Sequence, residues 1–138
     1  MLERKTIISD AVITILNKTK TPLSVNQIHD LLNKKQLTPN KTTIYRILDK
    51  LVDKNKVTEI AVRNKASFFE INKSHHNHFI CTQCDTVFCL NHCHIKTEKI
   101  NLNALLPNQS FQVTSHDFNL YGYCESCLKT LHTNVNKP

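Results

Sequence analysis

The sequence predicts an α+β protein: an N-terminal winged helix-turn-helix domain over residues 1–72, followed by a small α/β dimerisation domain over residues 73–138 built around a four-cysteine zinc site. Three observations predict it. Apolar residues recur three times at helical spacing before two short strand-like runs, the basic excess lies in the first half, and two Cys-x-x-Cys pairs stand in the second.

Ile7, Ile8, Ala11, Val12, Ile15 and Leu16 follow the spacing of a helix with one buried stripe, ending before Pro22. Ser24 followed by Gln27 makes a capping box for a second helix, whose apolar face is Val25, Ile28, Leu31 and Leu32. Asn40 caps a third helix, with Ile44, Ile47, Leu48, Leu51 and Val52 turned inward. Its opposite face carries Lys41, Thr42, Thr43, Tyr45, Arg46 and Lys50, all hydrogen-bond donors. Such side chains suit base edges and phosphates in a major groove, where an acidic cluster would be repelled. Residues 57–63 and 66–71 read as two strands around Asn64-Lys65, a hairpin whose Arg63 and Lys65 can lie along phosphates as a wing.

Charge agrees with this division. Of a net +7, residues 1–72 hold 13 Lys/Arg against 7 Asp/Glu, whereas residues 73–138 hold 5 against 4. A basic half joined to a near-neutral half rich in Cys and His suggests a polyanion binder attached to a metal-bearing domain; a solvated lysine surface is the plainer alternative. No apolar run approaches the roughly 18–20 residues of a membrane span, and the first residues open into a helix rather than a signal peptide. The expectation is a cytoplasmic protein with no membrane partner, in which six cysteines are reduced rather than a disulfide framework.

Cys81-Thr82-Gln83-Cys84 and Cys124-Glu125-Ser126-Cys127 are two zinc knuckles with 39 residues between them. Four thiolates close a tetrahedral shell around Zn²⁺ and leave no open position, so this site is expected to be structural; redox pairs or free buried thiols are the competing readings. In the adjoining His75-His76-Asn77-His78, an extended backbone puts His76 and His78 on one side, where two imidazoles can share an ion. Glu70, at the end of the hairpin, is near enough in sequence to join them. Strands are expected at residues 79–82, 86–90 and 110–123, with a short helix near 98–106. The last strand, apolar at Phe111, Val113, Phe118 and Leu120, invites pairing across a two-fold axis. His29 and His132 read as ordinary side chains. Neither a His-x-Glu before the knuckles nor a His-Glu-x-x-His helix is present, so no catalytic residue, enzyme activity or small-molecule substrate is expected.

Thr42-Thr43-Ile44-Tyr45-Arg46, Phe69-Glu70-Ile71, His75 through Cys81 with Cys84, and His116 through Cys124 with Cys127 together resemble the Fur family of ferric, zinc and peroxide-responsive repressors, along nearly the whole chain. The resemblance implies a homodimer that binds a palindromic double-stranded DNA operator when its sensory metal is present. It implies Tyr45 and Arg46 as base readers, Cys81, Cys84, Cys124 and Cys127 as structural zinc ligands, and Glu70, His76 and His78 as sensory-metal positions, with His75 and His116 in a second cluster. Three positions depart from the common pattern: Pro22 stands where many relatives have a histidine, Asn77 where aspartate is usual, and Cys89 where an acid is common. Cys89, counted with the sensory set, and the neighbouring His92, Cys93 and His94 form a soft-ligand group, which favours Zn²⁺ over Fe²⁺ or Mn²⁺ as the second, regulatory divalent metal. A peroxide-responsive regulator, or a constitutive DNA-binding one with only structural zinc, is the alternative.

Overall fold

The computed structural model describes residues 2–90 and 102–135. They fall into two units, Met1–Lys73 and Ser74–Pro138. Among the described residues no helix is long and apolar enough to cross a membrane.

In the first unit α1 (Leu2–Lys18) buries Ile8, Val12, Ile15 and Leu16. Ile7, expected in that stripe, is 54% exposed: each helical residue turns the side chain about 100°, and Ile8 already occupies the inward direction. Leu23–Ser24 form a two-residue strand, β1, before α2 (Val25–Lys34). The expected capping box is present, with Gln27 N–H donating to Ser24 Oγ at 3.2 Å and Ser24 N–H to Gln27 Oε1 at 2.9 Å. Helix α3 (Lys41–Asp53) starts at Asn40, whose Oδ1 accepts from the Thr43 N–H at 2.8 Å and the Thr43 hydroxyl at 2.9 Å.

Strands β2 (Val57–Ile60) and β3 (Phe68–Ile71) pair antiparallel in the order β1-β3-β2. Both are shorter than the hairpin expected at 57–63 and 66–71. Asn64 adopts a left-handed φ of 60° and Lys65 N–H closes a turn on the Val62 carbonyl at 3.2 Å, so the ladder stops at Ile60↔Phe68. One core joins the three helices to Val57 and Phe69, with Val12, Ile28, Leu32, Ile44 and Leu48 fully enclosed.

The second unit holds β4 (His78–Cys81), β5 (Val87–Cys89), a 3-10 turn at Leu102–Leu105, β6 (Asn119–Gly122) and α4 (Glu125–Val135). Its sheet runs β5-β4-β6, antiparallel between β4 and β5 and parallel between β4 and β6. The long strand expected at 110–123 is only four residues. Its partner β4 begins at His78, which pairs with Asn119, and ends at Cys81, which pairs with Gly122, so in this parallel register residues 110–118 lie before the first rung of the ladder. The chain's single glycine, Gly122, sits where an added Cβ would come within 3.3 Å of the Phe79 ring. Of the helix expected near 98–106, the 3-10 turn is the part inside the described residues.

Helix α4, for which no element was expected from the sequence, follows directly from the second knuckle. Its first turn closes by Leu128 N–H on the Cys124 carbonyl at 2.9 Å, and Lys129 pairs with Glu125 at 3.3 Å. The pair is exposed and contributes little.

Candidate metal centre and nucleic-acid interface

The β4–β5 turn carries the first knuckle. Cys81 ends β4 fully buried, and Cys84 follows on the turn made possible by the left-handed Asp85 (φ 64°). The parallel pairing of β6 with β4 then delivers Cys124 and Cys127, the latter in the first turn of α4. The four sulfurs lie within 4.8 Å of one another. Cys84 Sγ and Cys124 Sγ are 3.9 Å apart; tetrahedral zinc with Zn–S bonds of about 2.3 Å needs an edge near ~3.8 Å. Backbone N–H groups of Cys84 and Cys124 point at Cys81 Sγ from 3.5 and 3.4 Å, as thiolate acceptors require. Residues and geometry therefore fit a four-sulfur zinc site.

Their acidities point the same way. Burial raises the Cys81 thiol, but the backbone N–H groups of Cys84, Cys124 and Gln83 outweigh it and bring the pKa from 9.0 down to about 6. The Thr86 hydroxyl, 3.3 Å away, lowers Cys84. Cys127 is pushed up to about 12, first by desolvation and then by the sulfurs of Cys124, Cys81 and Cys84. Four such sulfurs ionise together only beside a cation.

The β4–β5 ladder builds a second cluster. His78 and Cys89 are direct cross-strand partners, and His76 lies two residues before His78 on the same side. The imidazoles stack edge to face at 4.7 Å, and the donor atoms of His76, His78 and Cys89 lie within 4.8 Å of one another. His76 Nδ1 is 2.9 Å from the Ser74 carbonyl, which can only accept, so the neutral ring carries its proton on Nδ1 and its lone pair on Nε2. His78 is buried and Cys89 half-buried. Glu70 is buried in the first unit, paired across the ladder with Thr58.

His75 and His116 also meet, with their Nε2 atoms 2.9 Å apart and rings at 86°. His92, Cys93 and His94, expected to extend these clusters, lie outside the described residues, as does the side chain of His132. The Ser74 carbonyl and Thr86 hydroxyl were not singled out in the sequence. A backbone oxygen has no residue signature, and a threonine after a knuckle gains its role only from the turn.

On α3 the side chains of Lys41, Thr42, Tyr45, Arg46 and Lys50 are exposed, Tyr45 by 43%, opposite buried Ile44, Ile47, Leu48 and Leu51. Thr43 differs: it is half-buried and its hydroxyl and N–H both serve Asn40. Arg63 and Lys65 stand exposed on the loop between β2 and β3.

Together the units define a winged-helix protein with a four-cysteine metal-binding lobe. The chain belongs to the ferric uptake regulator family, whose family model matches residues 4–121, and it is thus a metal-responsive regulator. It is similar to the ferric uptake regulation protein of Helicobacter pylori, 24% identical over 119 residues covering 86% of this chain and 77% of that protein. It is 29% identical over 108 residues to the Bordetella parapertussis protein of the same description, covering 78% and 76%. Its fold matches the solved ferric uptake regulator from Francisella tularensis with a TM-score of 0.74 at 20% identity, over 88% of this chain and 91% of that one.

Proposed function

We propose that the protein is a metal-dependent transcriptional repressor that binds a palindromic double-stranded operator as a homodimer. The observation that carries this is the coexistence, in one small unit, of a closed four-sulfur cluster and a separate His76, His78 and Cys89 cluster. The first has the donors of a structural zinc site, with Cys81, Cys84, Cys124 and Cys127 holding the ion and no position left for a substrate. The second would hold the regulatory ion. Two imidazoles and a thiolate favour Zn²⁺ over Fe²⁺ or Mn²⁺, and Glu70, by its place in the sequence, is proposed as a further ligand.

A bound divalent ion supplies a fixed positive charge and a set of bonds that favour one conformation. Regulation then comes from differential affinity: moving a population from mostly DNA-incompetent to mostly competent requires about 10⁴-fold tighter metal binding to the competent state. The exposed donors of α3, with Tyr45 and Arg46 reading bases, and Arg63 and Lys65 on the wing, supply the DNA contacts in this reading. Support for the dimer comes from Leu105, Phe111, Val113, Phe118, Leu120 and Tyr123, apolar side chains left exposed on the second unit. The protein acts by binding, without turnover, in a reducing cytoplasm where its cysteines do not form disulfides.

The test is selection of a preferred duplex from a random-sequence pool by the zinc-replete protein, followed by affinity measurements as Zn²⁺, Fe²⁺ and Mn²⁺ are titrated. Zn²⁺ should raise affinity most. The double variant His76→Ala, His78→Ala should keep one tightly held zinc per chain and lose that response. A wild-type affinity that ignores all three ions would leave a constitutive DNA-binding protein instead.

A further inference from the structure

Helix α3 presents one exposed stripe at the i, i+3, i+4, i+7 spacing: Thr42, Tyr45, Arg46 and Asp49. A homeodomain's reading helix uses the same spacing for its base contacts. Thr43, about 100° round the helix from Thr42, falls outside the stripe, and its hydroxyl donates to Asn40 Oδ1 at 2.9 Å. Three members of the stripe can donate hydrogen bonds. The fourth, Asp49, is a carboxylate that only accepts.

We infer that Asp49 is a specificity-determining residue of the DNA-reading helix, accepting a hydrogen bond from the exocyclic amine of a cytosine in each half-site. The inference deepens the proposed DNA-binding function and rests on it. A carboxylate facing DNA is repelled by phosphates on every sequence, so it is tolerated where a base supplies a donor. In the major groove that donor is cytosine N4, which has no acceptor beside it on the same base; adenine sets N7, a second acceptor, next to its N6 amine. Asp49 lies three residues beyond Arg46, about 4.5 Å along the helix axis, comparable with the ~3.4 Å rise between base pairs. Arg46 on a guanine and Asp49 on a neighbouring cytosine are therefore compatible.

The carboxylate is not spent on its neighbours. Among the described residues Asp49 forms no ion pair with Arg46 or Lys50. All three border an open cleft of about 330 Å³ together with Ser9, Thr43 and Ile47. Nothing in that cleft holds the two charged heads together, which separates a reading role for Asp49 from a role in positioning Arg46.

The experiment selects duplexes from a random-sequence pool with zinc-replete wild type, Asp49→Ala, Asp49→Asn and Arg46→Ala, after confirming equal melting temperatures. Wild type should enrich a half-site with a fixed C·G pair. Asp49→Ala should lose that preference by about 5- to 150-fold at one position per half-site and keep all others. Asp49→Asn should move the preference at that position towards adenine, which asparagine reads in bidentate fashion. Identical selected sequences for wild type and Asp49→Ala would overturn the inference. So would a loss confined to the position that Arg46→Ala also loses, which would make Asp49 a positioning residue. A wild type that enriches no sequence would overturn the DNA-binding reading itself, and this inference with it.

Discussion

The two units are of similar length but hold themselves together by different means. In the first, three helices and a small sheet enclose Val12, Ile28, Leu32, Ile44, Leu48 and Phe69 almost completely. In the second, the described buried apolar side chains are Ile80, Cys81 and Val87, while Leu105 (75%) and Phe111 (53%) stay exposed. A chain that buries so little cannot offset backbone entropy of roughly 1–2 kcal/mol per residue from a core alone. The comparison teaches where to look for the missing stabilisation: in the sulfur cluster, and in whatever covers the exposed apolar face.

The largest effect should follow metal removal. Chelation at neutral pH should unfold the second unit, since a structural zinc contributes roughly 10–16 kcal/mol in small zinc-dependent folds. Hydrogen exchange read unit by unit should show α1, α2 and α3 still protected while β4 and β6 are not. Cys84→Ser should act likewise. Equal loss of protection in both units would break the contrast, and retained protection in both would show that the sulfurs are dispensable.

Acid should release the structural metal and so weaken the second unit before the first, because protons compete with the ion for sulfur. In the folded unit the backbone N–H groups of Cys84, Cys124 and Gln83 bring the Cys81 pKa from 9.0 down to about 6. That contribution is complete above the unfolded value and is lost as pH falls through about 6. Zinc release and loss of protection in β4 and β6 should therefore coincide as the pH is lowered, with α1, α2 and α3 still protected. Equal acid sensitivity of the two units would break the contrast.

Core truncation should reverse the order of sensitivity. Leu48→Ala, at a fully enclosed site, should cost the first unit about 2–5 kcal/mol, read as a lower denaturant midpoint with zinc still bound. A Leu48→Ala protein that releases zinc in the same transition would show one cooperative fold rather than two.

The sequence disclosed these units unequally, and for the same reason that they differ in core burial. Helices α2 and α3 were legible because Ser24, Gln27 and Asn40 mark their starts and the apolar stripe repeats behind them; local chemistry and core burial agree there. The four cysteines were legible as a set because their spacing is itself chemical. What escaped was whatever depends on a distant partner. The run at 110–123 alternates like a strand, yet only the length of β4 decides that four residues pair. Helix α4 begins inside the knuckle, where Cys124 and Cys127 drew the metal reading and hid a helical Leu128 and Leu131 spacing. Cys89 was counted with His76 and His78 from the sequence, but the register that sets it opposite His78 has no local signature.

The smallest effect, at the helix that presents the DNA-reading stripe, separates local from tertiary control within the first unit. Asn40 Oδ1 satisfies both the N–H and the hydroxyl of Thr43, and its carbonyl receives the Ile44 N–H at 3.3 Å. Asn40→Ala removes the side-chain acceptor while leaving the carbonyl, so it should cost about 1 kcal/mol, or roughly 4–8 °C in the melting of a unit this size. Asn40→Asp keeps an acceptor and places negative charge at the helix start, where the helix dipole favours it; its melting temperature should match or exceed wild type. The core residues Ile44, Ile47 and Leu48 anchor the rest of α3 in both variants, so loss of protection in Asn40→Ala should be confined to the first turn. A melting temperature unchanged in Asn40→Ala would mean that packing of Ile44 alone fixes where the helix begins, and that the cap read so easily in the sequence contributes nothing the core does not already enforce.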